Sequence, residues 1–426
     1  MILTIIISFA IMLLLSFPIS ILLGIVTTIA IHFHTITPLT IIPQQLFNAL
    51  DNFILLAIPF FILAGGIMTE GEIAQRLIDV MNVFVGRFSG GLALATVVAC
   101  MFFAALSGSS PATVVAIGTI MIPALKKYGY DEEFATGLVT SAGSLGIVIP
   151  PSIPMILYCL VMNVSVAKLF MAGIGPGILI GAVFAGYTIY KAKKHGWSSH
   201  KKYTFTESLA VLRKGIWGLM LPIIVLGGIY TGIFTPTEAA AVSVVYALFV
   251  EFFIYKDLTI KRLTKVLVDS AVLSGALLFI LSCAMTFVWL LTSEQIPQQV
   301  ADAVIKYVHN WWTFLIAVNI LFLIMGTFMD DVSAMLILSP IFLETLKRFH
   351  IDLIHYGVVM VLVIEFGFLT PPFGLNLFVS MGITKWPLTR VARSVAPFIL
   401  LLLLCVALVT FIPQISTFLP KLIYKY

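Results

Sequence analysis

The 426-residue chain is 61% apolar and only 10% charged, with a mean hydropathy of +1.12. A water-soluble fold of this size cannot hide so much hydrocarbon, so the solvent of this chain is lipid. The net charge of +5 is then a topology signal, with Lys and Arg collecting on the cytoplasmic side, and not a nucleic-acid footprint.

From the N-terminus, MILTIIISFAIMLLLSFPIS has no basic leader and no small-residue cleavage site, so it reads as a retained spanning helix. Two crossings precede a third at 50–68, and an amphipathic surface helix with Arg76 and Arg87 covers 70–87. A broken crossing is expected at 90–125, a re-entrant hairpin at 132–163 entering from the periplasmic side, and a crossing at 167–190. The segment 191–214 holds seven Lys or Arg against one Glu and belongs in the cytoplasm. Crossings at 215–233 and 239–255 flank the turn TPTE, where Glu238 reads as an early-turn helix acid capped by Thr235. The basic cluster Lys256, Lys261, Arg262 and Lys265 then falls inside again, which supports the placement. Next come a crossing at 271–291, a surface helix at 294–310 ended by Trp311 and Trp312, and a broken crossing at 312–345. A second hairpin at 353–382, entering from the cytoplasmic side, and a last crossing at 396–420 complete the chain, with both termini periplasmic. Four single cysteines lie in apolar stretches without CxxC spacing and read as buried thiols. The scattered histidines suggest no metal site.

A shift of 221 residues superimposes the two halves without a gap. Lys126-Lys127 falls on Lys347-Arg348, Asp131 on Asp352, Gly146 on Gly367, Pro150-Pro151 on Pro371-Pro372, and Ser109-Ser110 on Asp330-Asp331. The predicted topology gives the copies opposite orientation. The fold class is therefore an all-α polytopic membrane protein with two inverted repeats, each holding a broken helix and a re-entrant hairpin. The domains divide as 1–68 (N-terminal scaffold helices), 69–190 (first repeat), 191–270 (basic loop, scaffold pair and connecting helix) and 271–426 (second repeat).

Each repeat interrupts its helices twice, at SGSSPATVVAIG (107–118) and GIVIPPSIP (146–154), and at GTFMDDVSAMLILS (326–339) and GFLTPPFGLN (367–376). Glycine and proline stop the helix, and Pro111 suits the first turn of a new one. Freed carbonyls before a break can coordinate a small cation, and amides after it can bind an anion. Candidate Na⁺ ligands are Ser107, Gly108, Ser110, Gly146 and Pro150 in the first repeat, and Gly326, Thr327, Asp330, Gly367 and Thr370 in the second. Candidate substrate contacts are Ser109, Ser110, Pro111, Thr113, Pro151, Ser152, Asp331, Pro371 and Asn376. Proline in a membrane helix can instead be a simple kink, and one of Asp330 and Asp331 can simply cap the following helix. Glu365 can bond hairpin backbone or ligate. Few basic residues lie inside the membrane segments, so an anionic substrate would rely on helix N-termini, hydroxyls and co-bound cations.

The stretches SGSSPATVVAIGTIMIPALKKYGYDEEFATGL, GIVIPPSIPMILY, GIFTPTEAAAVSVVYAL, GTFMDD and LTPPFGLNLFV resemble the large membrane subunit of TRAP (tripartite ATP-independent periplasmic) transporters. The resemblance spans nearly the whole chain. It implies a Na⁺-driven importer of organic acids with an elevator-type transport domain, resident in the bacterial inner membrane. It also implies two partners, a small four-helix membrane subunit and a soluble periplasmic substrate-binding protein, and no organic cofactor. SGSSPAT, with Pro111 and Thr113, looks closer to the sialic-acid branch than to the dicarboxylate pattern. A stand-alone ion-coupled carrier or channel is the alternative. An intramembrane enzyme ranks below both, because the chain has no HExxH, no GxSxG and no recognisable Ser–His spacing.

Overall fold

In the computed structural model, residues 1–197, 204–326, 331–371 and 374–424 are described. The described chain is helical throughout. Inside a bilayer the backbone must satisfy its own polar groups, and a helix does this within one segment. The helices are α1 (Ile2–Leu14), α2 (Ile19–His34), α3 (Ile41–Leu50), α4 (Ala57–Glu70) and α5 (Ile73–Val85). There follow α6 (Gly91–Ser107), α7 (Ser110–Lys127), α8 (Glu132–Ala142), α9 (Leu145–Val148), α10 (Ile153–Met162) and α11 (Val166–His195). The middle of the chain forms α12 (Phe205–Tyr230), α13 (Pro236–Phe249), prolonged by a π-helical turn over Val250–Tyr255, and α14 (Ile260–Ser293). The last part forms α15 (Ile296–Tyr307), α16 (Trp311–Gly326), α17 (Asp331–Arg348), α18 (Leu353–Leu369), α19 (Leu375–Thr384), α20 (Leu388–Phe411) and α21 (Gln414–Tyr424).

Among the described residues, seven helical stretches are long and apolar enough to cross a membrane, or eight if the bent pair α15–α16 counts as one. The chain is a multi-pass membrane protein. At 13 and 16 residues, α1 and α2 are short for perpendicular crossings, since at about 1.5 Å per residue neither spans a hydrocarbon core of about 30 Å. Sequence chemistry sets the starts of many of these helices. Thr204–Glu207 and Thr235–Glu238 form complete capping boxes, so Glu238 has its structural role. Asp131 and Asp352, one repeat apart, both cap helices, accepting from the N–H groups of Phe134 and Ile354 at 2.7 Å each. The amphipathic helices expected near 70–87 and 294–310 are α5 and α15. The first buries Ile73, Leu77, Ile78 and Met81 on one face, and the second meets α16 at 119°.

The arrangement differs from the sequence expectation in one important respect: hairpin and broken crossing exchange places in both halves. The start of α6 and the end of α7 lie together, because Leu92, Met121, Ala124 and Tyr128 line one cavity beside α5. The loop ends meet there too: Gly90 N–H donates to the Trp197 carbonyl, and the Tyr130 and Trp197 rings lie 4.8 Å apart. So 91–127 is the re-entrant hairpin, with its tip at 107–110. By contrast α8, α9 and α10 form a single interrupted span from Glu132 to Met162. In the second half the Phe314 and Phe349 rings stack at 5.5 Å, which brings together the start of α16 and the end of α17. The second hairpin is therefore 311–348, and α18–α19 is the interrupted crossing. The swap escapes a charge-based reading because a crossing followed by a hairpin and a hairpin followed by a crossing deliver the chain to the same side.

The two hairpins open at opposite ends of the α8–α10 span. Its beginning lies with Lys126 and Arg390, which reach Glu132 (2.5 Å) and Glu133 (3.4 Å). Near its far end Tyr158 donates to the Leu353 carbonyl at 2.7 Å. Packing between the halves is reciprocal. The second part of each interrupted span rests on the outgoing arm of the other hairpin, α19 on α7 and α10 on α17. The first parts rest on the other half's closing helix, α8 on α20 and α18 on α11. All four cysteines are buried and free.

In a background with the four native cysteines replaced, Lys126→Cys and Lys193→Cys should react with a membrane-impermeant maleimide from the same side, and Lys347→Cys from the other. Labelling of positions 126 and 193 from opposite sides would refute the exchange.

Candidate functional site

The first hairpin's tip is docked on the break of the interrupted span in its own half. In the first half α6 ends on Gly108, whose φ of 60° is left-handed, and Ser109 turns extended before α7 begins. Ser109 Oγ accepts from Ala112 N–H at 3.5 Å, and Pro111 sits in the first turn, where its missing donor costs nothing. Across from this tip the second break runs through Ile149, the cis-linked Pro150-Pro151 and Ser152, and Ser152 Oγ caps α10 by accepting from Met155 N–H at 3.4 Å. The two segments share backbone bonding, with Ile153 N–H donating to the Gly108 carbonyl at 3.3 Å. Close approach explains the glycines. A methyl on Gly146 would collide with the Ser109 carbonyl oxygen, and one on Gly108 would come within 2.9 Å of the Pro151 carbonyl oxygen.

The Ser109 carbonyl is already crowded with donors. It accepts Thr113 N–H (3.2 Å), the Thr113 hydroxyl (2.9 Å) and the Ser107 hydroxyl (3.2 Å), while Ser107 and Thr113 also bond each other at 2.9 Å. In the second half the Gly326 carbonyl oxygen would stand 2.7 Å from a methyl on Gly367, so the end of α16 approaches α18 just as closely. Thr370 follows the end of α18 and donates its hydroxyl to the Phe366 carbonyl, and Pro371 is exposed in the turn. Thr327 and Asp330 lie outside the described residues, and Asp331 is described only as the first residue of α17.

Four elements from both halves converge behind the first tip on a buried polar cluster. Ser110 donates to Glu365 Oε1 at 3.0 Å, and Asn376 Nδ2 donates to Ser110 Oγ at 2.7 Å and to the Thr140 carbonyl at 3.4 Å. Thr140 and Ser380 exchange a hydroxyl bond of 2.6 Å. All five side chains are fully buried. Glu365 thus meets side chains of the first repeat, a role the sequence left open between backbone bonding and ligation. Two residues with unused buried oxygens were not singled out in the sequence: the hydroxyls of Ser141 and Ser144, on the approach to the first break, have no hydrogen-bond partner among the described residues. They stand in the run Thr140-Ser141-Ala142-Gly143-Ser144-Leu145, with no glycine–proline break beside them to mark them.

On the other side the first tip faces a cavity of about 270 Å³, lined by Ser107, Ser109, Ala112 and Val115 from the hairpin and by α4 and α14 opposite. Of the sequence-predicted substrate contacts, Ser109 therefore borders open space. Ser110, Thr113, Pro151, Ser152 and Asn376 are fully buried behind it, and Pro111 is half-buried. The opposite wall carries Thr69, Glu70, Asp269 and Ser270, none of them singled out from the sequence. Asp269 escapes notice because the hydropathy pattern starts the crossing at 271 and leaves it outside. In fact α14 is one helix of 34 residues, and Val266, Asp269, Ser270 and Leu273 form one stripe of it. Glu70 is neutralised by Arg262, which also pairs with Asp257 at 2.8 Å. No lysine or arginine is among the residues lining the cavity.

Glu365→Ala should leave the buried Ser110 hydroxyl without its acceptor, at a cost of about 1–3 kcal/mol, and should lower the thermal unfolding temperature in detergent. Glu365→Gln keeps one acceptor and should lose less. An alanine variant as stable as the parent would show that the cluster does not hold the halves together.

Residues 6–415 match the family model described as the DctM component of the tripartite ATP-independent periplasmic transporters. The chain is 43% identical over 420 residues to the C4-dicarboxylate TRAP transporter large permease protein DctM of Rhodobacter capsulatus, covering 95% of this chain and 96% of that one. It is 47% identical over 377 residues to the protein of the same description from Pseudomonas aeruginosa, covering 88% of each. The ectoine TRAP transporter large permease protein TeaC of Halomonas elongata is 36% identical, with 90% of each covered. Among solved structures, the Alcanivorax borkumensis YdaH transporter shares the fold with a TM-score of 0.66 at 13% identity, over 97% of this chain and 99% of that one. With the matching family model and these identities over most of its length, the chain belongs to the large permease (DctM) family of TRAP transporters.

Proposed function

We propose that this chain is the permease of a Na⁺-coupled importer that takes a small organic carboxylate from a soluble periplasmic binding protein, with a small four-helix membrane subunit as its second partner. The observation that carries this reading is the docking of two helix interruptions at Gly108–Ile153, open on one side to a cavity and backed on the other by a polar cluster. Interrupted helices meeting within a membrane are the usual place for substrate and coupling ion in secondary transporters. Hairpins that open at opposite ends, with reciprocal packing, support two inverted repeats and an elevator movement of that unit against α4 and α14. The positive-inside rule makes the end with Lys126, Arg213 and Arg262 cytoplasmic, and the membrane the bacterial inner one.

Sodium would be held at the two tip-and-break junctions, by oxygens among Ser107, Gly108, Ser110, Gly146 and Pro150, and among Gly326, Thr327, Asp330, Gly367 and Thr370. The substrate would meet Ser109 and the N-terminus of α7, whose early amides favour negative charge. No lysine or arginine is among the described residues that line the cavity, so bound Na⁺ would provide the balancing charge, which is a physical reason for coupling. The DctM relatives are named for C4-dicarboxylates, and a cavity of about 270 Å³ suits so small an acid. The SGSSPAT motif keeps sialic acid as the competing substrate.

Proteoliposomes holding this chain, the small subunit and a loaded binding protein should accumulate labelled dicarboxylate under an inward Na⁺ gradient. Uptake should fall at least about tenfold when choline replaces Na⁺, within the range of ordinary coupling energies. Undiminished uptake without Na⁺ would reject the coupling, and uptake without the binding protein would favour the stand-alone carrier. In the same assay Asp269→Asn, which removes a negative charge facing the cavity, should slow substrate release and lower substrate counterflow. Unchanged counterflow would exclude Asp269 from the path.

A further inference from the structure

We infer that the groove between α5, α12 and the π-helical end of α13 is a binding site for the headgroup of an anionic phospholipid. The groove has a volume of about 620 Å³ and is lined by Arg76, Arg213, Lys214, Leu209, Trp217 and Tyr255, among others. The α12 residues in it, from Thr206 to Trp217, recur at helical spacing and form one stripe. Arg213 and Lys214 are exposed on that stripe, and among the described residues neither makes an ion pair. Opposite them Arg76 gives one guanidinium nitrogen to Glu72 at 2.5 Å, while its buried Nε has no hydrogen-bond partner. Among the described residues that donor has no acceptor, and buried donors of this kind are ordinarily paired.

The local negative charges are otherwise engaged. Glu72 pairs with Arg76, Asp79 in the adjoining recess accepts from Gln75, and Glu251 accepts from the N–H groups of Glu72 and Ile73. Glu207, the one acid on α12, is held in its capping box. The α12 backbone is pinned against the neighbouring helix by Tyr246 and Tyr255, whose hydroxyls donate to the Trp217 and Lys214 carbonyls at 2.9 and 2.8 Å. The groove is thus a fixed surface and not a set of free side chains.

Depth and shape point to a lipid and not to a soluble phosphate. With 26 residues α12 is about 39 Å long, more than the hydrocarbon core of about 30 Å, so its first turns lie among headgroups. Trp217, 39% exposed one turn beyond the two cations, suits the headgroup boundary. Leu209 and Ile216 are exposed on the same helix and offer apolar surface to acyl chains. Basic pockets between membrane helices at the cytoplasmic face have this recognition chemistry.

The test is a titration of the full chain in detergent with short-chain phosphatidylglycerol, followed by native mass spectrometry. Phosphatidylcholine and inorganic phosphate are the controls. Phosphatidylglycerol should bind more tightly than phosphatidylcholine and resist displacement by millimolar phosphate. With about 1 kcal/mol contributed by each basic residue, Arg213→Gln with Lys214→Gln should weaken it about 25-fold at an unchanged unfolding temperature. Thr206→Glu, which adds a carboxylate to the groove, should do the same should the double variant prove unstable. Equal binding of the two lipids, or affinity untouched by either variant, would overturn the site. Displacement by phosphate would reassign it to a soluble anion.

Discussion

The bond from Ile153 N–H to the Gly108 carbonyl, 3.3 Å long, is the contact on which the rest of the site depends. A helix interrupted within the membrane exposes donors and acceptors that lipid cannot satisfy. Two interruptions that meet can satisfy part of each other's need, and neither would be stable alone. This accounts for the residues at both breaks. Gly108 supplies the left-handed turn, Gly146 permits backbone contact, and the serines cap the helices that restart. In the second half Gly326, at the end of α16, and Gly367, within α18, approach at backbone distance as well.

The cluster of Ser110, Glu365, Asn376, Thr140 and Ser380 extends this mutual dependence across the halves. Glu365 and Asn376 belong to the second half, and Ser110 and Thr140 to the first, so a shift of one half alone would break several buried bonds. Buried polar groups are costly to leave unpaired, which favours movement of the two halves together. Arg262 does a comparable service outside the site. It joins the end of α4 to the start of α14 through Glu70 and Asp257, holding the wall that faces the first tip. The site therefore lies between two parts, each tied within itself.

Much of this was legible in the sequence, and the failures have physical causes. The repeat is visible because paired capping aspartates, basic pairs and prolines recur 221 residues apart, and α7 and α17 end on those basic pairs. All four interruptions are visible because glycine and proline disrupt helices regardless of tertiary context. Which interruption is a turn-back and which a straight-through break is not visible. Gly108 and Ser109 reverse the chain, whereas Pro150-Pro151 lets it continue, and propensity treats both alike. Ser110 and Asn376 are marked by polarity in apolar surroundings, yet their partner Glu365 is found only by folding, 255 residues from Ser110. Asp269 is hidden because the end of a hydropathy window is not the end of a helix.

The charge pattern around the cavity bears on how an anion could use it. Ser109 presents its hydroxyl and α7 its positive dipole end, but the facing wall offers the carboxylates of Asp269 and Glu70, with no lysine or arginine among the described lining residues. Glu70 is matched by Arg262, while Asp269 has no ion pair among the described residues. An anion in that space is therefore attracted by one wall only, through helix-end dipoles whose influence is confined to the first turn. Such binding is weak unless a cation sits behind the tip, and it weakens further when the cation leaves. On the proposed Na⁺-coupled reading, helix ends in place of a fixed arginine would give affinity that depends on a second, diffusible charge. That dependence is what an ion-coupled carrier requires: a permanent clamp would hold the anion on both sides of the membrane with equal strength, and a ligand bound equally in two states shifts neither.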